Sequence, residues 1–165
     1  MLWIDDGEIV VPEFPYKGEI YFVDKNHSEG SDENGDGSFD SPWKTIRYGL
    51  QNISSGDALL VLGNNATSPV VYEERIESTD PRPLVPAGTP DRYTVIRAYP
   101  RRSVRMEGFF IRDASYVRIE GFQITNDLTG WDGSGIQIRS VDNDIKGISR
   151  LVGRGWDIGP YEYDG

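Results

Sequence analysis

The run Asp32-Glu33-Asn34-Gly35-Asp36-Gly37 places oxygen-bearing side chains at alternate positions and closes on a glycine, the pattern of a calcium loop. A hard divalent cation takes several oxygen ligands from a tight turn. Asp32, Asn34 and Asp36 would supply side-chain oxygens, Ser38 a backbone carbonyl, and Asp40 a carboxylate directly or through water. Trp43 stands at the twelfth position, where an EF-hand has a bidentate Glu, so the pattern is incomplete in that sense. The plainer expectation is an acidic loop that meets solvent.

Arginines form a second constellation. Arg97, Arg118 and Arg139 recur at equal intervals, and Ile96, Val117 and Ile138 precede them in equivalent positions. Alternation along a strand would put the apolar residues on one face and the arginines on the other. Stacked in one outward column, the three guanidiniums would repel unless anions intervened. Glu107, Glu120 and Asp113 are the internal candidates for that role. The external candidate is an acidic polysaccharide, because the planar guanidinium fork pairs bidentately with carboxylates. Trp131, in Leu128-Thr129-Gly130-Trp131-Asp132-Gly133, offers a ring face on which a sugar could stack, whereas Trp156 and Tyr161 are better suited to closing a core.

Catalytic chemistry has fewer residues to draw on. With no cysteine and a single histidine, His27, thiolate nucleophiles, imidazole triads and multi-His metal centres are excluded. Glycosidases need two carboxyls at a set separation. Asp127, Asp132 and Asp142 are available, but no spacing singles out a pair. A β-eliminating lyase needs a Lys or Arg base and a group that neutralises the uronate, for which Lys146 and the arginines are the candidates.

These residues must be held by elements that the composition already limits. The chain has 165 residues, 19 Gly and 10 Pro, with strand-like runs between the turn formers, which argues against a helical bundle. One domain fits the length. No run approaches the 18 or so apolar residues of a membrane span, and a net charge of −10 speaks against nucleic-acid binding. Residues 1–91 hold 17 acidic and 6 basic side chains, and residues 92–165 hold 10 and 11, so distinct surfaces are expected. Three Asn-x-Ser/Thr sequons, at Asn26, Asn52 and Asn65, are read as chance in a polar chain. Met1-Leu2-Trp3 leads at once into Asp5, Asp6 and Glu8, so no secretion signal is visible.

Ser41 as N-cap and Pro42 as first helical residue predict one helix, with Trp43, Ile46, Leu50 and Ile53 on its apolar face and an end near Asn52. Strands are predicted at 9–11, 20–23, 58–62, 70–72, 93–99, 104–106, 109–111, 116–120, 122–125 and 135–139, with an irregular proline-rich loop over 77–91. The interval between the arginines is the size of one coil of a parallel β-solenoid, roughly 20 residues or a little more. A second repeat sets Val104–Phe109 against Val117–Phe122 at a shorter interval, and it reads as two strand–Gly–strand corners.

Tyr21-Phe22-Val23, the Gly/Asp loop, Ser41-Pro42-Trp43-Lys44-Thr45-Ile46 and Gly56-Asp57-Ala58-Leu59-Leu60-Val61 resemble the N-terminal cap of right-handed parallel β-helix proteins of the pectate-lyase-like type. Thr94–Pro100 and Val117–Asn126 are similar to their first coils, and Asp144–Gly147 through Asp157–Tyr163 to a closing segment. The resemblance implies an all-β, short right-handed parallel β-helix with one N-terminal capping α-helix. It divides a single domain into a cap (1–57), coils (58–140) and a capping tail (141–165). It also implies an extracellular setting, and few coils for the active-site face that enzymes of this type use. The expected function is a calcium-stabilised, non-catalytic module that binds or sits among polysaccharides. The alternatives are a polysaccharide lyase-like enzyme or its remnant, and a structural surface protein that self-associates through its ends.

Overall fold

The computed structural model describes residues 3–5, 8–10, 18–78, 84–127 and 134–139. Its strands are β1 (Trp3–Asp5), β2 (Glu8–Val10), β3 (Ile20–Val23), β4 (Ala58–Leu62), β5 (Val70–Val71), β6 (Arg75–Glu77), β7 (Thr94–Tyr99), β8 (Val104–Met106), β9 (Gly108–Arg112), β10 (Val117–Glu120), β11 (Gln123–Ile124) and β12 (Ile136–Arg139), with one helix, α1 (Ile46–Asn52). β1 and β2 form a small antiparallel pair. All the other strands are parallel, in three sheets ordered β10-β7-β4-β3, β11-β8-β5 and β12-β9-β6. From β4 onward the chain visits the three sheets in the same order three times. Among the described residues the protein is therefore built mainly from parallel β-sheets, with a single helix.

Alternation explains the core. Tyr21, Leu59, Ile96 and Ile119 lie in line across the four strands, as do Val23, Val61 and Ala98 across three of them, and these residues pack into the main apolar cluster together with Val117. Met106, Ile76, Phe109 and Ile111 join it from the other two sheets. The opposite face of the four-stranded sheet carries a second, smaller apolar cluster of Ile20, Phe22, Leu60, Leu62 and Tyr99.

The two corners predicted from the shorter repeat are present. Gly108 opens β9 one residue after β8 ends, Gly121 follows directly on β10, and both have positive φ, 137° and 82°. Each corner sends the chain from one sheet to the next, a turn that residues with a Cβ adopt at a cost.

Three expectations need correction. The helix begins at Ile46, its N-cap is Thr45, and Ser41 and Pro42 lie outside it. Trp43 forms a parallel bridge with Val23, and its backbone exchanges hydrogen bonds with Phe22 O and Asp24 N, which keeps it extended. It is nonetheless buried, stacked on Tyr21 at 5.2 Å. Second, β6 is not among the predicted strands: it is three residues long with one inward side chain, Ile76, too short for a period to show. β1 escapes prediction for the same reason. Third, Val117 on β10 registers with Thr94 on β7, two positions away from Ile96, the partner that the arginine spacing implies.

Candidate functional site

The acidic loop is organised by backbone donors. Asp32 Oδ1 accepts from the N–H groups of Lys44 (2.7 Å) and Thr45 (3.1 Å), and its Oδ2 accepts from Thr45 Oγ1 (2.9 Å). Asp36 Oδ1 accepts from Ser38 N–H at 2.9 Å, and these contacts with Ser38 hold the Asp36 carboxyl below the usual carboxylate range. Gly37 has φ 79°, and a Cβ there would meet the Trp43 ring at 2.7 Å. The glycine of the calcium pattern thus has a packing reason of its own. Asn34, Asp36, Ser38 and Asp40 are exposed on this loop, while Asp32 is half-buried beneath it. No group of three His, Cys, Asp or Glu side chains gathers around a common point among the described residues.

The arginines do not form one column. Arg97 on β7 lies opposite Glu120 on β10, and Arg118 lies opposite Val95, so the two share a face but sit two positions apart. Arg139 is on β12, in a different sheet, opposite Arg112. The equal spacing in sequence fails because successive layers differ in length: Val117 registers with Thr94 but Ile136 with Phe109, the second step being the longer. Glu120 takes the neutralising part expected of it, with Arg97 Nε at 3.5 Å and Arg118 Nε at 3.5 Å. Asp113 pairs with Arg112 at 3.6 Å. Arg97 is only 5% exposed, which removes it from contact with a large ligand. Trp131, Asp132, Asp142, Lys146, Trp156 and Tyr161, and with them the expected tail, lie outside the described residues.

A concave site appears elsewhere. A half-open cleft of about 400 Å³ lies between the loop after β3 and the turn from β4 to β5. Asp24, Asn26, His27, Ser28 and Asn64 give it a hydrogen-bonding wall, and Leu62, Gly63 and Val70 an apolar one. Its two halves are tied together. Tyr72 Oη donates to Leu62 O and accepts from Lys25 N–H, both at 3.0 Å. Lys25 Nζ donates to Val71 O at 2.9 Å, and Lys44 Nζ donates to His27 O at 2.6 Å. His27 Nδ1 accepts from Glu29 N–H at 3.2 Å, which leaves the neutral ring's proton on Nε2. Burial raises the Tyr72 phenol well above its ordinary pKa, so it stays a neutral strut.

Sequence reasoning passes over this cleft. Its one legible signal is that two turn segments, 24–28 and 63–68, are both mostly polar, with Asp24, Asn26 and Ser28 in the first and Asn64, Asn65, Thr67 and Ser68 in the second. Nothing in their spacing says that they meet.

Comparison with known protein families gives no match, and comparison with curated proteins gives none.

Proposed function

We propose that the chain is a short right-handed parallel β-helix of the pectate-lyase-like type, working outside the cell as a non-catalytic module that binds polysaccharide, acidic polysaccharide in particular. The repeated visit to three parallel sheets in constant order supports the coil reading. The cap and coil motifs described above support the family and its setting.

The observation that carries the functional reading is the cleft. A sugar ring is amphipathic, with hydroxyls at its rim and C–H groups on its faces. Asn26, Ser28, Asn64 and the Nε2–H of His27 suit the rim, and Leu62 and Val70 suit a face. The turn of the next layer lies alongside, joined through Gly63 N–H to Tyr99 O (2.9 Å) and Val70 N–H to Ser103 O (2.8 Å). That turn exposes Arg101 and Arg102, which have no carboxylate partner among the described residues. They are better placed for an acidic unit than Arg97, which is buried against Glu120.

Calcium belongs to the proposal through the Asp32–Gly37 pattern. Asn34, Asp36 and Asp40 would provide oxygens on the exposed side of the loop, with Ser38 adding a carbonyl. Asp32 already serves three donors.

The test is calorimetric titration with oligogalacturonate and with a neutral oligosaccharide, in calcium and in chelator. Binding is expected to weaken with salt and to fall about tenfold in an Arg101→Ala/Arg102→Ala variant, one or two lost charge contacts. Calcium at about 100 times its dissociation constant is expected to stabilise the fold by roughly 2.7 kcal/mol. No heat with either oligosaccharide sinks the glycan reading, and an unchanged melting temperature in chelator sinks the calcium part alone.

A further inference from the structure

The turn from β7 to β8 is closed by Ser103 N–H on Pro100 O at 3.1 Å, and Arg102 is its third residue, with φ 64°. A positive φ at that place suits Gly or Asn, because any larger side chain crowds its own backbone. The other two non-glycine residues with positive φ among the described residues use their side chains internally. Asp113 pairs with Arg112, and the Tyr116 ring meets that of Tyr93 edge-on at 5.8 Å. Arg102 is exposed and has no carboxylate partner among the described residues. The turn thus carries a costly backbone for a guanidinium that meets solvent.

That turn is also fastened to the cleft. Gln123 Nε2 on β11 donates one proton to Arg102 O (2.6 Å) and the other to Ala66 O (2.8 Å), and Gln123 Oε1 accepts from Arg105 Nη2 (3.3 Å). Ala66 belongs to the turn whose Gly63 and Asn64 line the cleft. One amide therefore holds the cleft turn and the arginine turn side by side. The two differ in charge. Asp24 stands in the wall of the cleft, so a carboxylate inside it meets a like charge, whereas one on the next turn meets Arg102.

We infer that the site takes a polysaccharide in which a neutral sugar adjoins a uronate, the neutral unit in the cleft and the uronate carboxylate on Arg102, with Gln123 as the positioning residue that fixes the step between them. The inference rests on the cleft being a sugar site. Neighbouring layers lie about 4.8 Å apart, a step on the scale of one sugar ring, and the guanidinium fork pairs bidentately with a carboxylate.

The test is calorimetric titration with three oligosaccharides of equal length: one from hyaluronan, in which uronate and neutral units alternate, its carboxyl-reduced form, and oligogalacturonate. The alternating oligomer is expected to bind the unsubstituted chain about tenfold more tightly than either of the others, the effect of one charged hydrogen bond gained or one repulsion avoided. Arg102→Gly should erase the advantage over the reduced form and raise the melting temperature by about 2 °C, because the backbone strain is gone. Arg102→Asn, which also tolerates positive φ, should do the same and stands in if the glycine variant fails to fold. Gln123→Ala should lower affinity for the alternating oligomer about fivefold and leave that for the reduced form unchanged, a split that loosening of the fold would not give. Equal affinities for the alternating and reduced forms overturn the inference, as do a melting temperature that does not rise in Arg102→Gly and equal losses for the two ligands in Gln123→Ala. Oligogalacturonate binding as tightly as the alternating oligomer overturns it too, while leaving the cleft a sugar site. No heat with any of the three defeats the cleft reading and this inference together.

Discussion

At the β3 end of the stack, each backbone N–H that starts α1 has an acceptor. Asp32 takes those of Lys44 and Thr45, Glu74 takes those of Ile46 and Arg47 (both 3.0 Å), and Thr45 Oγ1 takes that of Tyr48. Asp57 adds the N–H groups of Glu19 (3.0 Å) and Ser54 (2.8 Å) below the helix. At the β12 end, Ile136 and Ile138 are exposed, and the carboxylates of Asp113 and Glu120 pair with arginines instead. The difference teaches what the uneven charge of the chain does. In the first half Asp24, Asp32, Asp36, Asp57 and Glu74 accept backbone N–H groups at the helix start, the loops and the turns. In the second half, strands satisfy their own backbone, and charges face one another across the sheet.

The largest effect that could break this comparison comes from putting a charge into the packed face of α1. Leu50 is 2% exposed in the main core, between the helix and the first strands. Leu50→Asp is expected to cost at least about 4 kcal/mol, since a carboxyl there must be buried unpaired or neutralised. That approaches the whole stability of many domains, so soluble aggregate should accompany the loss. Ile119→Asp, at the partly buried last layer, should cost about half as much in urea denaturation. Equal costs would mean that the two ends are packed alike.

Removing an acceptor at the capped end is the next test. Asp32→Ala strands two backbone donors and the Thr45 hydroxyl, and about 2–3 kcal/mol should be lost. Glu74→Ala is expected to cost about 1–3 kcal/mol, with Glu74→Gln recovering part through its one remaining oxygen. Glu74 is invisible as a cap in the sequence, because it lies far along the chain from the Ile46 N–H it serves. If Glu74→Ala melts like the unsubstituted chain, the acceptor at the helix start contributes nothing to stability.

What is legible follows the same line. Strands at 20–23, 58–62, 70–72, 93–99, 104–106 and 116–120 can be placed within a residue or two because each carries its own alternation or its own turn signals. The corners at Gly108 and Gly121 are legible because a repeated local motif needs no knowledge of its neighbours. Register is not legible: loops of unequal length separate the strands, so matching arginines by counting puts Arg139 on the wrong sheet. The helix start is misplaced because Ser41-Pro42 is a good local signal. It is overridden by Trp43 pairing with β3 and by Asp32 holding the next two N–H groups. The cleft depends on two loops meeting, which no period records.

At the β12 end the outer face offers a smaller contrast. Arg97 and Arg118 share Glu120, yet Arg97 is buried and the Arg118 side chain is 42% exposed. Arg97→Ala leaves a partly buried carboxylate with one solvated partner and should cost about 2 kcal/mol. Arg118→Ala should cost less than about 1 kcal/mol, as exposed pairs do. A double-mutant cycle with Glu120→Gln would read the two couplings, and a larger coupling for Arg118 would reverse the assignment.

The smallest effect concerns Asp36, and it discriminates between the two expectations for the acidic loop. Hydrogen bonds from Ser38 lower its pKa in the folded chain below the ordinary value of 3.8. A carboxyl lowered on folding adds stability above its unfolded pKa, and that contribution is lost as pH falls through the folded one. The side chain is fully exposed, so acid unfolding curves of Asp36→Asn and the unsubstituted chain should nearly coincide, with the variant slightly less sensitive below about pH 4. The informative measurement is the Asp36 carboxyl titration by NMR, with and without calcium. A bound cation favours the ionised form, so millimolar calcium should push the titration lower still if Asp36 is a ligand. An identical titration in calcium and in chelator removes Asp36 from the ligand set and leaves its role as the acceptor that turns the chain toward Gly37 and Trp43.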